Sequence, residues 1–224
     1  MGEKMYVRTP KIISRTLAEE TGIHIGDGSM NFYEGHGLYS LRGNKVTDRE
    51  FYKGHVKRLF GTLYGADVKL REWKDVYGFQ ITSGKLVKFK NKIMCLPLGK
   101  KVNITIPELL LRVNKLATAC VRGILDTDGC IYIENKKGKD YPRIEISTTS
   151  GPLANQIRDI LVRNGISCSL WKEKYKNKNW NPKFMISVKG YKNFRLWYEI
   201  IGTSHPENAK KFCSLLRLPS SRTC

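Results

Sequence analysis

The 224-residue chain carries six cysteines, at 95, 120, 130, 168, 213 and 224, but no CxxC pair and no metal-ligand spacing. That excludes a zinc site of the usual kind and points to a reduced, intracellular setting, cytoplasm or nucleoid. Cys120, Cys130 and Cys168 fall inside helix or strand patterns and are expected as small buried apolar residues. No apolar run is long enough to span a bilayer. The opening MGEKMYVRTP is too polar for a secretory signal, Tyr6 breaks a myristoylation pattern, and no amphipathic basic helix offers itself to a membrane surface. No Ser-His-Asp or Cys-His arrangement has supporting spacing. The glycine-rich GIHIGDG has no Lys-Ser/Thr after its last glycine and follows no strand, so it is not a nucleotide phosphate loop. Acid is scarce: 20 Asp and Glu stand against 40 Lys and Arg.

The resulting charge of +20 favours a polyanion, and nucleic acid is the commonest one. A hydrophobic content of 41% is enough for real cores. The clearest feature is a repeated helical stretch. Leu109–Gly129 reads LLLRVNKLATACVRGILDTDG, and near the N-terminus stands ISRTLAEETGIHIGDGS. Gly22, Gly26, Asp27 and Gly28 fall on Gly123, Thr127, Asp128 and Gly129 at a constant offset of 101 residues. Small residues four apart share one helix face, so Gly22 with Gly26, and Gly123 with Thr127, give each helix a smooth strip on which the other can pack closely. His24, one turn before the acid, reads as a core or interface histidine.

Asp27 and Asp128 then stand at helix C-termini, where the dipole already presents negative charge, and close packing brings them together. A divalent cation or a cluster of basic groups removes the conflict. A single Asp-Gly pair would read first as a turn; two copies at one offset, each with a small residue before the acid, favour a paired acid site. Val121–Gly129 (VRGILDTDG), and Glu20–Gly28 (ETGIHIGDG) in its second half, resemble the nine-residue motif of the LAGLIDADG homing endonucleases. The first motif departs from the pattern with Ile25 at the first acid and Glu20 at the leading apolar position.

The rest of the chain repeats with the motifs. Pro10 is expected to open the first helix and Pro107 the second. Two hairpins follow each: Ser29–Glu34 with Leu38–Arg42 around Gly35-His36-Gly37, and 68–74 with 78–83; then 130–135 with 143–149 around Gly138, and 167–175 with 183–189, joined by 177–182. An amphipathic helix over 49–64 ends at Gly65, and one over 153–164 ends at Gly165. A basic helix over 85–94 and closing helices over 191–201 and 207–216 complete the units. The expected fold is α+β: two pseudosymmetric αββαββα repeats, 1–105 and 106–224, with antiparallel sheets, joined by the packed motif helices.

The strands alternate apolar with polar or basic residues, as half-buried antiparallel sheet does. Outward candidates to contact DNA are Asn31, Tyr33, Arg42, Lys69, Arg71, Trp73, Gln80 and Thr82 in the first half. In the second they are Tyr132, Arg143, Glu145, Ser147, Trp171, Lys183, Ser187 and Lys189. Such faces donate to base edges and phosphates as β-ribbons do in a major groove.

The resemblance implies that Asp27 and Asp128 bind the catalytic metal, with Gly26 and Thr127 beside them. The metal is Mg²⁺, or Mn²⁺, with Ca²⁺ a non-catalytic substitute. It further implies a lysine at each metal, Lys101 (neighbour Lys100) and Lys211, and water- or phosphate-holding groups at Asn44, Lys45 and Thr149. The implied activity is double-strand DNA cleavage at a long pseudo-palindromic site, leaving short 3′ overhangs. The chain would act as a monomer, encoded within an intron rather than an intein. The rival reading is an RNA-splicing maturase, with host intron RNA as partner, or a non-cutting regulator on the same scaffold. Retention of both acids speaks against a pure binder.

Overall fold

A computed structural model describes residues 6–173 and 182–216. The expected segment 177–182 and the end of the preceding strand at 175 lie largely outside those residues, as does Cys224.

The first half runs α1 (Arg15–Asp27), β1 (Gly28–Tyr33), β2 (His36–Asn44), α2 (Arg49–Phe51), a π turn (Tyr52–Val56) and α3 (Lys57–Tyr64). Then come β3 (Arg71–Trp73), β4 (Val76–Thr82), α4 (Gly84–Lys88) and a second π turn (Phe89–Ile93). The second half runs α5 (Glu108–Leu111), α6 (Asn114–Asp128), β5 (Gly129–Lys136), β6 (Lys139–Thr148), α7 (Gly151–Arg163), β7 (Cys168–Glu173), β8 (Lys183–Lys189), α8 (Tyr191–Ile200) and α9 (Pro206–Leu216). In each half the two hairpins merge into one antiparallel four-stranded sheet, β1-β2-β4-β3 and β5-β6-β8-β7. The expected α+β repeat is what the chain adopts.

Local chemistry accounts for the boundaries. α1 starts at Ser14, whose hydroxyl accepts from the Leu17 amide, and not at Pro10. Pro107 opens only the short α5, and α6 restarts at Asn114 after extended Val113. Gly65 and Gly165 end α3 and α7 at φ +63° and +75°, left-handed values that glycine adopts without a Cβ penalty. The first hairpins turn on Glu34-Gly35 and Lys137-Gly138, both residues of each pair at positive φ, as tight two-residue turns require. His36 is therefore a strand residue paired with Tyr33. β3 is shorter than expected: Val68 is buried ahead of it, and Lys69 also precedes it.

Each sheet buries its apolar face against helices. Tyr39 and Phe79 meet Phe60 of α3, with the Phe60 and Phe79 rings 4.7 Å apart, and Ile81 is buried on the same face. In the second half, Ile144, Ile146 and Ile186 lie over Leu153, Ile157 and Leu161 of α7. Cys120 is buried as expected, Cys168 is half-buried, and Cys130 is exposed because its register places it on the polar face opposite Glu145. No helix among the described residues is long and apolar enough to cross a membrane.

Candidate active site

α1 and α6 pack backbone to backbone. A Cβ on Gly22 would fall on the Cys120 carbonyl oxygen and lie 3.0 Å from the Ile124 nitrogen. A Cβ on Gly123 would fall on the Glu19 carbonyl oxygen. One turn on, a Cβ on Gly26 would collide with the Thr127 hydroxyl and lie 3.3 Å from the Asp128 carboxyl carbon. The strips read from the sequence therefore face each other, and both helices deliver their last acid to one place.

Lys101 lies within electrostatic reach of both acids. Its ammonium donates to the carbonyls of Ile25 (2.8 Å), Gly26 (2.5 Å) and His24 (3.4 Å), capping the negative end of α1. Burial works against its charge, while Asp128 and Asp27 favour it, and its pKa ends below the usual lysine range. Burial pushes Asp27 up to about 7 against a 2.8 Å hydrogen bond donated by the Tyr52 hydroxyl; Asp128 and Asp48 push it further, and Lys101 pulls it back. Asp128 lies more open to solvent, yet crowding by surrounding atoms raises it to about 6, with Lys101 opposing. Two carboxylates this reluctant to ionise suit a cation. Among the described residues no three His, Cys, Asp or Glu side chains gather into a closed metal cluster. A cation here would draw on the two acids, the helix-end carbonyls and an outside ligand.

The remaining candidates divide. Gly26 and Thr127 meet at the site, though the Gly26 carbonyl already accepts from Lys101 and the Thr127 hydroxyl bonds back to Gly123 (3.0 Å). Asn44 spends its side chain on the amides of Val46 and Thr47, and Lys45 on the Lys74 carbonyl, so both hold turns. Thr149 is exposed just past β6, Lys100 is exposed next to Lys101, and Lys211 is exposed on α9 within electrostatic reach of Cys130.

Sequence reasoning missed a polar strap between the halves. Asp126, the acid that Ile25 replaces in the first motif, is buried and accepts from the Thr203 hydroxyl and the Ser204 amide (2.7 Å). Ser204 donates to Glu19 (2.5 Å), which also takes Arg122 (2.6 Å) and His55 (2.8 Å). Burial opposes the Glu19 charge, but these partners outweigh it and hold its pKa low. His205 reaches Asp48 (3.4 Å), and a Cβ on Gly43 would touch both Asp48 and Asp27, so Asp48 belongs beside the site. Asp48 directly precedes α2 but makes no side-chain cap to it, and nothing in its local sequence marks this place. His24 is the expected core histidine, stacked on Tyr39 and, by burial, held well below its ordinary pKa.

The polar sheet faces gather most of the DNA candidates. Asn31, Arg42, Trp73, Gln80, Thr82, Glu145, Ser147 and Lys183 are half-buried there; Tyr33, Arg71, Tyr132, Trp171 and Lys189 are exposed. Two candidates lie deeper than the alternation suggests. Arg143 is buried and locked to Glu134 and near Glu145, and Ser187 is fully buried between Glu145 and Ser169, its hydroxyl without a partner.

A protein-family profile described as a LAGLIDADG-like domain matches residues 115–215. Among solved structures, the homing endonuclease I-DmoI in complex with DNA and Ca superposes with a TM-score of 0.64 at 14% identity, covering 91% of this chain and 97% of that one. The homing endonuclease I-WcaI bound to its DNA recognition sequence gives 0.61 at 19% identity, covering 91% and 88%. This is the LAGLIDADG homing-endonuclease fold. The LAGLIDADG helices are α1 and α6, and the profile covers the half with the closer motif. Curated relatives come from Methanocaldococcus jannaschii. A glutamine–fructose-6-phosphate aminotransferase is 27% identical over 94% of this chain, and a replication factor C small subunit 26% over 97%. The chain spans only 18% and 11% of those two proteins.

Proposed function

We propose that this chain is a divalent-metal-dependent DNA endonuclease that cuts both strands of a long, pseudo-palindromic site and leaves short 3′ overhangs. The observation that carries the reading is the meeting of Asp27 and Asp128 at one point, between two sheets whose polar faces carry basic and aromatic side chains. A chain that only bound a polyanion would gain nothing from two acids there. I-DmoI and I-WcaI, which share the fold, were solved with DNA, and I-DmoI also with Mn, Ca or Mg.

Asp27 and Asp128 would hold the cation, Mg²⁺ or Mn²⁺, with Gly26 and Thr127 lending carbonyls. Bound there, it would activate water and neutralise charge on the phosphoryl oxygens. Tyr52 orients the Asp27 carboxylate. Lys101 keeps a positive charge at the end of α1, against the phosphate backbone. Both acids come from one chain, so a monomer suffices. The matched segment recurs in proteins with unrelated names, an aminotransferase, a replication factor C small subunit and a DNA helicase, as a mobile insert would. That recurrence favours insertion in protein-coding genes over the intron setting.

The test is cleavage of a randomised duplex library with Mg²⁺ and with EDTA, wild type against the Asp27→Asn/Asp128→Asn double variant. Metal-dependent cuts at a few related long sites, lost in the variant, support the reading. Binding without cutting under every metal would replace it with the regulator or maturase, and host intron RNA would be the next ligand.

A further inference from the structure

One arginine on the first sheet keeps its hydrogen bonds unspent. Arg42 on β2 stands across from Gly78 on β4, and Gly78 stands across from Arg71 on β3. Because position 78 has no side chain, Arg42 crosses that row and lays its guanidinium over the Trp73 indole, 4.3 Å from the ring centroid. A Cβ on Gly78 would fall on the Leu41 carbonyl oxygen and lie 2.9 Å from the Arg42 Cα, so the close approach of β4 to β2 at this point needs glycine. Stacking fixes the guanidinium plane while leaving its terminal N–H groups free to donate.

Arg42 has no hydrogen bond or ion pair among the described residues, and its Nε is buried without a partner. Two residues back on the same face, Ser40 is buried and its hydroxyl is also unpartnered. Both line a concavity of about 240 Å³ with Asn31 and Gln80. The other strand arginines differ: Arg143 is neutralised by Glu134, and Arg71 is exposed and unstacked. Gly43, the next residue after Arg42, lies so close to Asp27 that a Cβ there would sit 2.8 Å from its carboxylate oxygen. Arg42 therefore stands at the end of β2 that passes Asp27, with its side chain on the other, polar face of the sheet.

We propose that Arg42, held flat by Trp73, determines specificity by reading a guanine in the inner part of the half-site bound by the first sheet. Two terminal N–H groups would donate to O6 and N7, the pair of acceptors that guanine alone offers in the major groove. The inference rests on the endonuclease reading above and deepens it.

The experiment is a specificity profile: the wild type selects its site from a randomised duplex library, and Arg42→Ala, Arg42→Lys and Trp73→Ala are profiled on all single-base variants of that site. In Arg42→Ala one guanine near the cut loses roughly tenfold to a hundredfold of its preference, and other positions keep theirs. Arg42→Lys, which keeps the charge without the fork, loses most of the same preference, and Trp73→Ala loses part of it. Even weakening across all sequences, with a shallower salt dependence, would make Arg42 a phosphate contact and overturn the proposal. So would an unchanged profile. A wild type that selects no site at all would instead sink the endonuclease reading, and this one with it.

Discussion

Replacing Asp27 with Asn should make the metal-free protein more stable at pH 8. Asp27 has a pKa of about 7 in the folded chain against an ordinary 3.8. The folded state thus binds the proton more tightly than the unfolded state, and stability falls as pH rises from about 4 to 7, then levels. A gap of about three pKa units corresponds to about 4 kcal/mol, and partial exposure of the carboxylate brings it to about 3 kcal/mol. Glu19 and Asp48, whose pKa values are lowered, act below that window. Asp128 has the same sign, so a smaller slope persists in the variant. Urea unfolding in EDTA at pH 5 and pH 8 measures the effect. Wild type should lose about 2 kcal/mol more than Asp27→Asn across that interval, the share of the titration that lies above pH 5. Mg²⁺ at pH 8 should restore the wild type, because an ion that binds only the folded chain stabilises it, and should do far less for the variant. Parallel pH slopes, or equal stabilisation by Mg²⁺, would refute the idea that Asp27 holds an unfavourable charge awaiting a cation.

Two more predictions concern the core. Gly22→Ala forces α1 away from the Cys120 carbonyl and should cost at least about 2 kcal/mol in thermal unfolding. Gly61→Ala, on the open face of α3 with nothing within 4 Å, should stabilise by about 0.5–1 kcal/mol, and the same sign at both sites would contradict the packing argument. Lys90→Met should cost about 3–5 kcal/mol, since Lys90 is the buried counter-charge to Glu20 at 2.5 Å. A loss under about 1 kcal/mol by urea unfolding would refute the view that Lys90 compensates a buried charge.

The parts of this molecule that the sequence discloses are those governed by local period and backbone geometry. Gly22 and Gly123 announce a close helix crossing because small residues at fixed spacing have few other uses. Gly65 and Gly165 announce helix ends because left-handed backbone favours glycine. What stays hidden depends on partners distant along the chain. Lys90 reads as one more base on a basic helix; the π turn at Phe89–Ile93 shifts the helical phase and turns it inward to Glu20 and near the Tyr39 and Tyr64 rings. Arg143 alternates outward as read, and loses its reach because Glu134 and Glu145 stand on the same face. Asp48 is placed beside Asp27 by the strand end at Gly43 and tied by His205, 157 residues away.

Those hidden partners also break the symmetry that the repeat announces. Tyr52 orients Asp27, and Lys101 caps α1; among the described residues Asp128 receives no side-chain hydrogen bond, and α6 ends on Gly129 alone. The deeper acid of α6, Asp126, anchors the 203–204 strap, while Ile25 in α1 packs in the core. On the proposed reading, two halves that place their acids alike but support them differently would present unequal centres to the two strands. The sheets differ in the same way, with an unspent Arg42 on one and a neutralised Arg143 on the other. On that reading, a target complementary to this surface would be a site whose halves are alike in spacing and different in sequence. A fused pair of repeats can read such a site, whereas a symmetric dimer of one repeat would have to read two identical half-sites.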